Sequence, residues 1–125
     1  MPDRMEDKFK SIFEALKPLL HQYEADLHCV TDKDELYYLD THHIMPNNKP
    51  LYFGSVQIKK NYVAFHLMPI YVFPELLVGM SSGLKKRMQG KSCFNFKKTD
   101  VPLFAELAGL TQAGFKSYQN AGYIK

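Results

Sequence analysis

The 125 residues have the length of one domain that can bury a core without disulfides or a structural metal. Hydrophobic residues make up 46% of the chain and aromatic residues 14%, which argues against disorder, and two cysteines are too few for a disulfide framework. The net charge of +3 conceals a basic segment, because residues 81–125 carry eight basic and two acidic groups. We therefore predict one cytoplasmic domain over residues 1–125, since the charged first ten residues lack a signal-peptide core and no apolar segment is long enough to span a bilayer.

Apolar side chains recur every three or four positions between Met5 and Tyr23, which predicts an amphipathic helix that covers a sheet. Pro18 lies inside this pattern, so we expect a kink or a restart there. After Leu27 the period shortens toward two, and this change predicts a strand through Val30, a turn at residues 31–34 and a strand over residues 36–39.

A polar, proline-bearing segment, residues 41–50, is typical of a loop. Two better strands follow, over residues 51–59 and 62–68, and their short connection at Lys60 and Asn61 predicts an antiparallel hairpin. Pro69 is expected to end the second of these strands.

Short helices are predicted next, one beginning at Phe73-Pro74-Glu75 and one capped by Ser81, with Gly90 as a left-handed terminator. The stretch QGKSCFNFKK, residues 89–98, alternates like a further strand. The last helix is predicted to begin at Asp100 and to end at Gly122, and Gly109 and Gly114 within it predict close packing. The pattern as a whole predicts an α+β fold: an antiparallel sheet of about five strands with N-terminal, central and C-terminal helices mainly on one face.

The GKS tripeptide at residues 90–92 resembles part of a phosphate loop. A phosphate loop needs a glycine five residues before its second glycine and a helix after it. Lys85 holds the first of these places and a strand is predicted after Ser92, so we exclude a nucleotide-binding loop.

A mixed polar and apolar surface is predicted on the sheet face that the helices leave uncovered. Alternation places Lys91, Cys93, Asn95 and Lys97 there, opposite Phe94 and Phe96, and puts His66 on a comparable face of its own strand. Such a surface is either a ligand pocket or an oligomer interface, and a Cys93–His66 pair would suit nucleophilic catalysis only with an orienting group and an oxyanion site. We predict a small-ligand site at these residues: His66, Cys93, Asn95, Lys91 and Tyr62.

Two charged clusters offer further candidates. The basic one predicts an anion site, for phosphate or an acidic protein partner, at Lys85, Lys86, Arg87 and Lys97, with Lys98 nearby. Nucleic acid is disfavoured because the aromatic residues of this region are expected to face inward. The other cluster combines carboxylates and imidazole in the pattern of an iron, zinc or manganese site, with a polar surface loop as the alternative: Asp32, Asp34, Asp40 and His42.

Residues 50–124 resemble the bacterial YdhG-like family, a group of domains of unknown function. The resemblance is carried by YVAFHLMP at residues 62–69, by GKSCFNFKK at residues 90–98 and by the closing helix. It implies a compact α+β fold and no established reaction. Some relatives are described as frataxin-like iron chaperones, which implies iron as the alternative cargo.

The sequence thus predicts a non-enzymatic binding or interaction domain without a cofactor. Its alternatives are an iron-binding chaperone and a self-associating structural module that forms a homodimer.

Overall fold

The computed structural model describes the backbone of residues 5–125 and the side chains of residues 7–125. Residues 1–4, part of the predicted domain, lie outside the described residues. The helices are α1 (Met5–His21), α2 (Pro69–Val72), α3 (Ser82–Arg87) and α4 (Val101–Asn120), with single 3₁₀ turns at Glu24–Asp26 and Pro74–Leu77. The strands are β1 (His28–Asp32), β2 (Leu36–Ile44), β3 (Pro50–Ile58), β4 (Val63–Leu67), β5 (Met88–Gln89) and β6 (Cys93–Phe96).

The strands form one sheet in the order β1-β2-β3-β4-β6-β5, and every neighbouring pair is antiparallel. The helices pack mainly on one face of it, where α1 crosses β3 and β4, and α3 contacts β6. The predicted α+β fold is confirmed, with six strands in the described range instead of about five. Within residues 5–125, none of the helices combines the length and hydropathy needed to cross a membrane.

The core lies between the sheet and its helices. Alternation along the strands sends large apolar side chains toward the helices, and the stripe of α1 meets them with Ile12, Leu16 and Leu20, which have no exposed surface. The side chains that the strands contribute to the core are at most 1% exposed: Tyr37, Leu39, Phe53, Val56, Phe65, Phe94 and Phe96. Because each such side chain contributes roughly 1.5–3 kcal/mol when it is buried, this layer is the main source of stability.

A β-bulge in β3 decides which side chains reach the other face. The pairing of β2 with β3 shifts between Leu39 and Asp40, opposite Gly54. A Cβ at Gly54 would lie 2.7 Å from the carbonyl oxygen of His66 and 3.1 Å from a methyl group of Leu20, so only glycine fits there. The bulge gives β3 one residue more than β2 at this point, which shifts the side-chain alternation by one position. The side chain of Tyr52 therefore lies on the face opposite the helices.

Two boundaries differ from the sequence prediction. Residues 41–44 belong to β2 instead of a loop, because Thr41 is buried and its hydroxyl donates to the carbonyl of Leu51 at 2.8 Å. Helix α1 continues through Pro18 as one helix to His21, so of the kink or restart expected at Pro18 the restart does not occur.

The stretch QGKSCFNFKK is a hairpin, where the sequence predicted one strand. Gln89 ends β5, Gly90 has a φ of +74° in the connecting turn, and the chain returns as β6. The turn removes Lys91 from the alternation that was expected to place it beside Cys93.

Helix α4 begins and packs largely as expected. The Oδ1 atom of Asp100 accepts a hydrogen bond from the backbone N–H of Leu103 at 3.1 Å, which caps the helix. A Cβ at Gly114 would lie 2.8 Å from Cβ of Pro69, which confirms close packing there. A Cβ at Gly109 would meet nothing within 4 Å, so the same prediction is wrong for Gly109.

Candidate functional site

The sheet face opposite the helices, here called the open face, carries part of the predicted ligand site. In the β4–β6 ladder, Ala64 lies opposite Asn95 and His66 lies opposite Cys93. His66 and Cys93, which alternation placed on comparable faces, are therefore cross-strand neighbours. Their side chains are half-buried, together with that of Asn95.

Tyr52 and Ser92 complete this surface, and sequence reasoning missed both. The Tyr52 ring stacks on Tyr38 at a centroid distance of 4.6 Å and lies edge-on to His66 at 5.0 Å, while its hydroxyl donates to Ser55. The Oγ atom of Ser92 and Nε2 of His66 form a hydrogen bond of 2.6 Å. The sequence offered one signal for the placement of Tyr52, which is the glycine inside β3. A glycine within a strand often marks a bulge, and a bulge changes the face on which the neighbouring side chains lie.

The electrostatics of the open face favour neutral groups. Burial lowers the pKa of His66, so its imidazole is neutral at neutral pH. Burial raises the pKa of the Cys93 thiol, although the charge of Lys59 opposes this shift. The thiol donates to Oδ1 of Asn95 at 3.6 Å, and His66 bonds to Ser92 instead of Cys93. The Cys93–His66 nucleophile considered from the sequence is therefore not formed.

Two lysines that alternation grouped with Cys93 and Asn95 lie away from this surface. The ammonium of Lys91 lies 5.9 Å from the ring centroid of Tyr71, in α2. Tyr62 directly precedes β4, four positions before His66, about 13 Å along an extended strand; its place in the ligand site stays a prediction. Lys97 follows the end of β6 and lines a cavity beside α3 and α4. The sequence interpretation that grouped Lys91 and Lys97 with Cys93 and Asn95 is wrong, because the hairpin at Gly90 and the end of β6 redirect both lysines.

The carboxylates and imidazole proposed as metal ligands are also dispersed. Asp32 binds Lys17 of α1 at 2.7 Å, whereas Asp40 pairs with His28 at the other end of the β1–β2 ladder. Burial raises the pKa of Asp40, against an opposing effect of His28. The predicted set Asp32, Asp34, Asp40 and His42 does not form one cluster, and residues 7–125 contain no group of three His, Cys, Asp or Glu side chains placed to hold a metal ion.

The basic residues, in contrast, converge. A cavity of about 270 Å³, here called the basic cavity, opens between the end of α3, the end of β6 and the start of α4. Four cationic side chains line it, namely Lys86, Arg87, Lys97 and Lys98. Three of the four residues predicted for an anion site are thus brought together, and the fourth, Lys85, does not line the cavity.

Local structure explains this convergence. Ser81 caps α3 by accepting a hydrogen bond from Leu84 N–H at 3.1 Å, and the buried Leu84 anchors the short helix, so its last turn presents Lys86 and Arg87. Phe96 is buried edge-on against Phe104 of α4 at 4.9 Å, which fixes the point where Lys97 leaves the sheet.

A second contact holds the two helices around the cavity. Both the backbone N–H and the hydroxyl of Ser81 donate to the carboxylate of Glu106, at 2.8 and 2.5 Å. The start of α3 is thereby tied to α4, whose first residues line the other side of the cavity.

The charge around the cavity is poorly neutralised. Asp100 supplies the one carboxylate on the lining, and it is engaged in capping α4. Among the side chains of residues 7–125, the ion pairs within 4.0 Å are Lys17–Asp32 and His21–Glu24, so none involves the four cations. Four positive groups against one negative group leave an excess of three positive charges, which attracts an anion.

Comparisons of the chain with protein-family models, with curated proteins and with solved structures found no match. The resemblance to the YdhG-like family stays a prediction. Function is therefore inferred from the geometry of the chain's own residues.

Proposed function

We propose that this protein is a non-enzymatic binding domain that holds a small phosphate-bearing ligand in the basic cavity. The observation that carries the proposal is the convergence of Lys86, Arg87, Lys97 and Lys98 on one cavity without ion-pair partners in the described part of the chain. Two of them come from α3 and two follow β6, so the cavity is shaped by the fold and not by one run of lysines.

Phosphate suits these groups for two reasons. A guanidinium offers several N–H donors in a planar fork that matches phosphate oxygens, and ammonium groups supply compact charges around them. The volume of about 270 Å³ lies just below the usual range for drug-sized ligands, so it fits a small molecule such as pyrophosphate or a short phosphate ester.

The aromatic residue beside the cavity disfavours nucleic acid. Single-stranded nucleic acids gain affinity by stacking bases on exposed rings. Phe96 is 1% exposed, and its ring is packed against Phe104, so it offers no stacking surface. Exposed aromatic side chains elsewhere, such as Tyr71, do not line this cavity.

Calorimetric titration with pyrophosphate at low salt tests the proposal. The Lys86→Ala, Arg87→Ala double variant is expected to bind at least about a hundredfold more weakly, since a hydrogen bond to a charged group contributes roughly 1.5–3 kcal/mol. The matched control removes two exposed lysines that do not line the basic cavity, Lys60→Ala with Lys116→Ala, and is expected to retain the wild-type affinity. Higher salt should weaken wild-type binding.

Thermal melting of both double variants checks that each remains folded. Absence of pyrophosphate binding by the wild-type protein would refute the proposal. Equal affinity of wild type and the Lys86, Arg87 variant would also refute it, because the ligand would then lie elsewhere.

A further inference from the structure

A second cavity, here called the apolar groove, lies beside α2 and has a different chemistry. It measures about 370 Å³ and runs between the helical turns of residues 69–77 and the β5–β6 turn. Its walls are apolar side chains: Ile70, Pro74, Leu77 and Met88. An apolar ligand of this size would gain free energy by leaving water for such walls.

One cation interrupts the apolar lining. Lys91 places its ammonium 5.9 Å from the ring centroid of Tyr71, a residue that is 54% exposed. Lys91 takes part in none of the ion pairs among residues 7–125, and the hydroxyl of Tyr71 donates to no side chain or backbone group there. Two hydrogen-bond donors for an anionic head group are therefore present at the edge of an apolar surface.

The backbone keeps this edge open. Gly90, which also lines the groove, has a φ of +74°, and a Cβ built there would meet nothing within 4 Å. The turn at Gly90 swings Lys91 away from the open face and toward Tyr71, which is why sequence alternation assigned this lysine to the wrong surface.

We infer that the apolar groove binds a small carboxylic acid with an apolar chain. The walls favour burial of methylene groups, and the ammonium of Lys91 pairs with the carboxylate while the Tyr71 hydroxyl donates a hydrogen bond to it. A ligand with several negative charges is disfavoured, because Lys91 is the single charged side chain on the described lining. This site is separate from the basic cavity, and the two share no lining residue.

A titration followed by ¹H–¹⁵N NMR tests the inference, with hexanoate, octanoate and decanoate as the probes and octanol as the uncharged comparison. Chemical shifts are expected to change at residues 70–77 and 88–91. The affinity is expected to rise about fourfold for each added methylene, the factor that corresponds to about 0.8 kcal/mol per buried methylene.

Two variants separate the head group from the chain. Lys91→Gln is expected to weaken octanoate binding about tenfold while leaving octanol binding unchanged, since a charge-assisted contact is lost. Lys116→Gln removes an exposed lysine of α4 and should leave both affinities unchanged. The NMR spectrum of each variant reports directly whether the fold is intact.

Three results would overturn the inference. They are an affinity for these acids that does not depend on chain length, shifts centred on residues 83–87 and 96–98 instead of the groove, and Lys91→Gln binding octanoate as tightly as wild type. Because pyrophosphate is not used in this titration, failure here leaves the basic cavity untouched, and failure of the pyrophosphate titration leaves the groove untouched.

Discussion

The open face of the sheet and the basic cavity both collect polar side chains, yet they use them differently. On the open face the polar groups bond to one another: Ser92 to His66, Tyr52 to Ser55, and Cys93 to Asn95. Around the basic cavity the four cations have no such partners in the described range. Polar groups satisfied within the protein stabilise the fold, whereas unneutralised charges that converge on a cavity are available to a ligand.

A pair of single substitutions tests this contrast, and it has the largest expected effects. Lys97→Ala is expected to lower the affinity for pyrophosphate at least about tenfold and to change the free energy of unfolding by less than about 0.5 kcal/mol. Ser92→Ala is expected to do the reverse, because it leaves Nε2 of the half-buried His66 without its partner. It should cost roughly 1–3 kcal/mol of unfolding free energy at unchanged affinity.

Urea denaturation and calorimetry measure the two quantities on the same samples. If Ser92→Ala weakened pyrophosphate binding as much as Lys97→Ala does, the division between a structural face and a binding cavity would be wrong.

A charge change inside the cavity sharpens the comparison by increasing affinity. Asp100→Asn removes the carboxylate on the lining and keeps an efficient helix cap, since asparagine caps as well as aspartate. We expect pyrophosphate to bind roughly three- to tenfold more tightly. The Asp100 carboxylate repels the anionic ligand, and removal of one such partly exposed charge contributes about 1 kcal/mol. An unchanged or weaker affinity, with helix content intact by circular dichroism, would place the ligand away from Asp100.

His66 on the open face is expected to make the unfolding free energy depend on pH, an effect smaller than the affinity changes above. Burial places the folded-state pKa of His66 below its ordinary value of 6.5, so the folded protein disfavours the charged form. Above about pH 6.5 the imidazole is neutral in both states and costs no unfolding free energy. As the pH decreases toward the lowered folded-state pKa, the unfolded chain binds the proton more readily than the folded protein, so the unfolding free energy falls.

The variant His66→Gln isolates this contribution, since other titrating groups remain in both proteins. Its unfolding free energy is expected to fall less between pH 7.5 and pH 5 than that of wild type, measured by urea denaturation. Parallel pH profiles would show that His66 is no more buried than in the unfolded chain.

Much of the fold was predictable because long elements leave strong periodic signals. The stripe of α1, the β3–β4 hairpin and the Asp100 cap of α4 were all readable from residue spacing. Short elements were not predictable in this way. A two-residue strand such as β5 is too short for alternation to be distinguished from a turn, so the pattern of QGKSCFNFKK predicted one strand. The bulge at Gly54 likewise reverses the side-chain alternation that decides the face of Tyr52. The glycine itself was the one signal of this bulge in the sequence.

The sites were predictable in composition but not in arrangement. The concentration of basic residues after position 80 was visible in the sequence, and it indicated an anion site near Arg87 and Lys97. Their convergence depends on the return of the chain at Gly90 and on the start of α4, which alternation along a single strand does not encode. Lys91 was misplaced for the same reason.

The most direct test of the account is a ¹H–¹⁵N NMR titration of the protein with pyrophosphate. We predict saturable shifts centred on residues 83–87 and 96–103, with the open-face positions at His66, Cys93 and Asn95 unaffected. Shifts centred on those open-face positions, or no saturable shifts at low salt, would contradict the central claim that the basic cavity is the binding site.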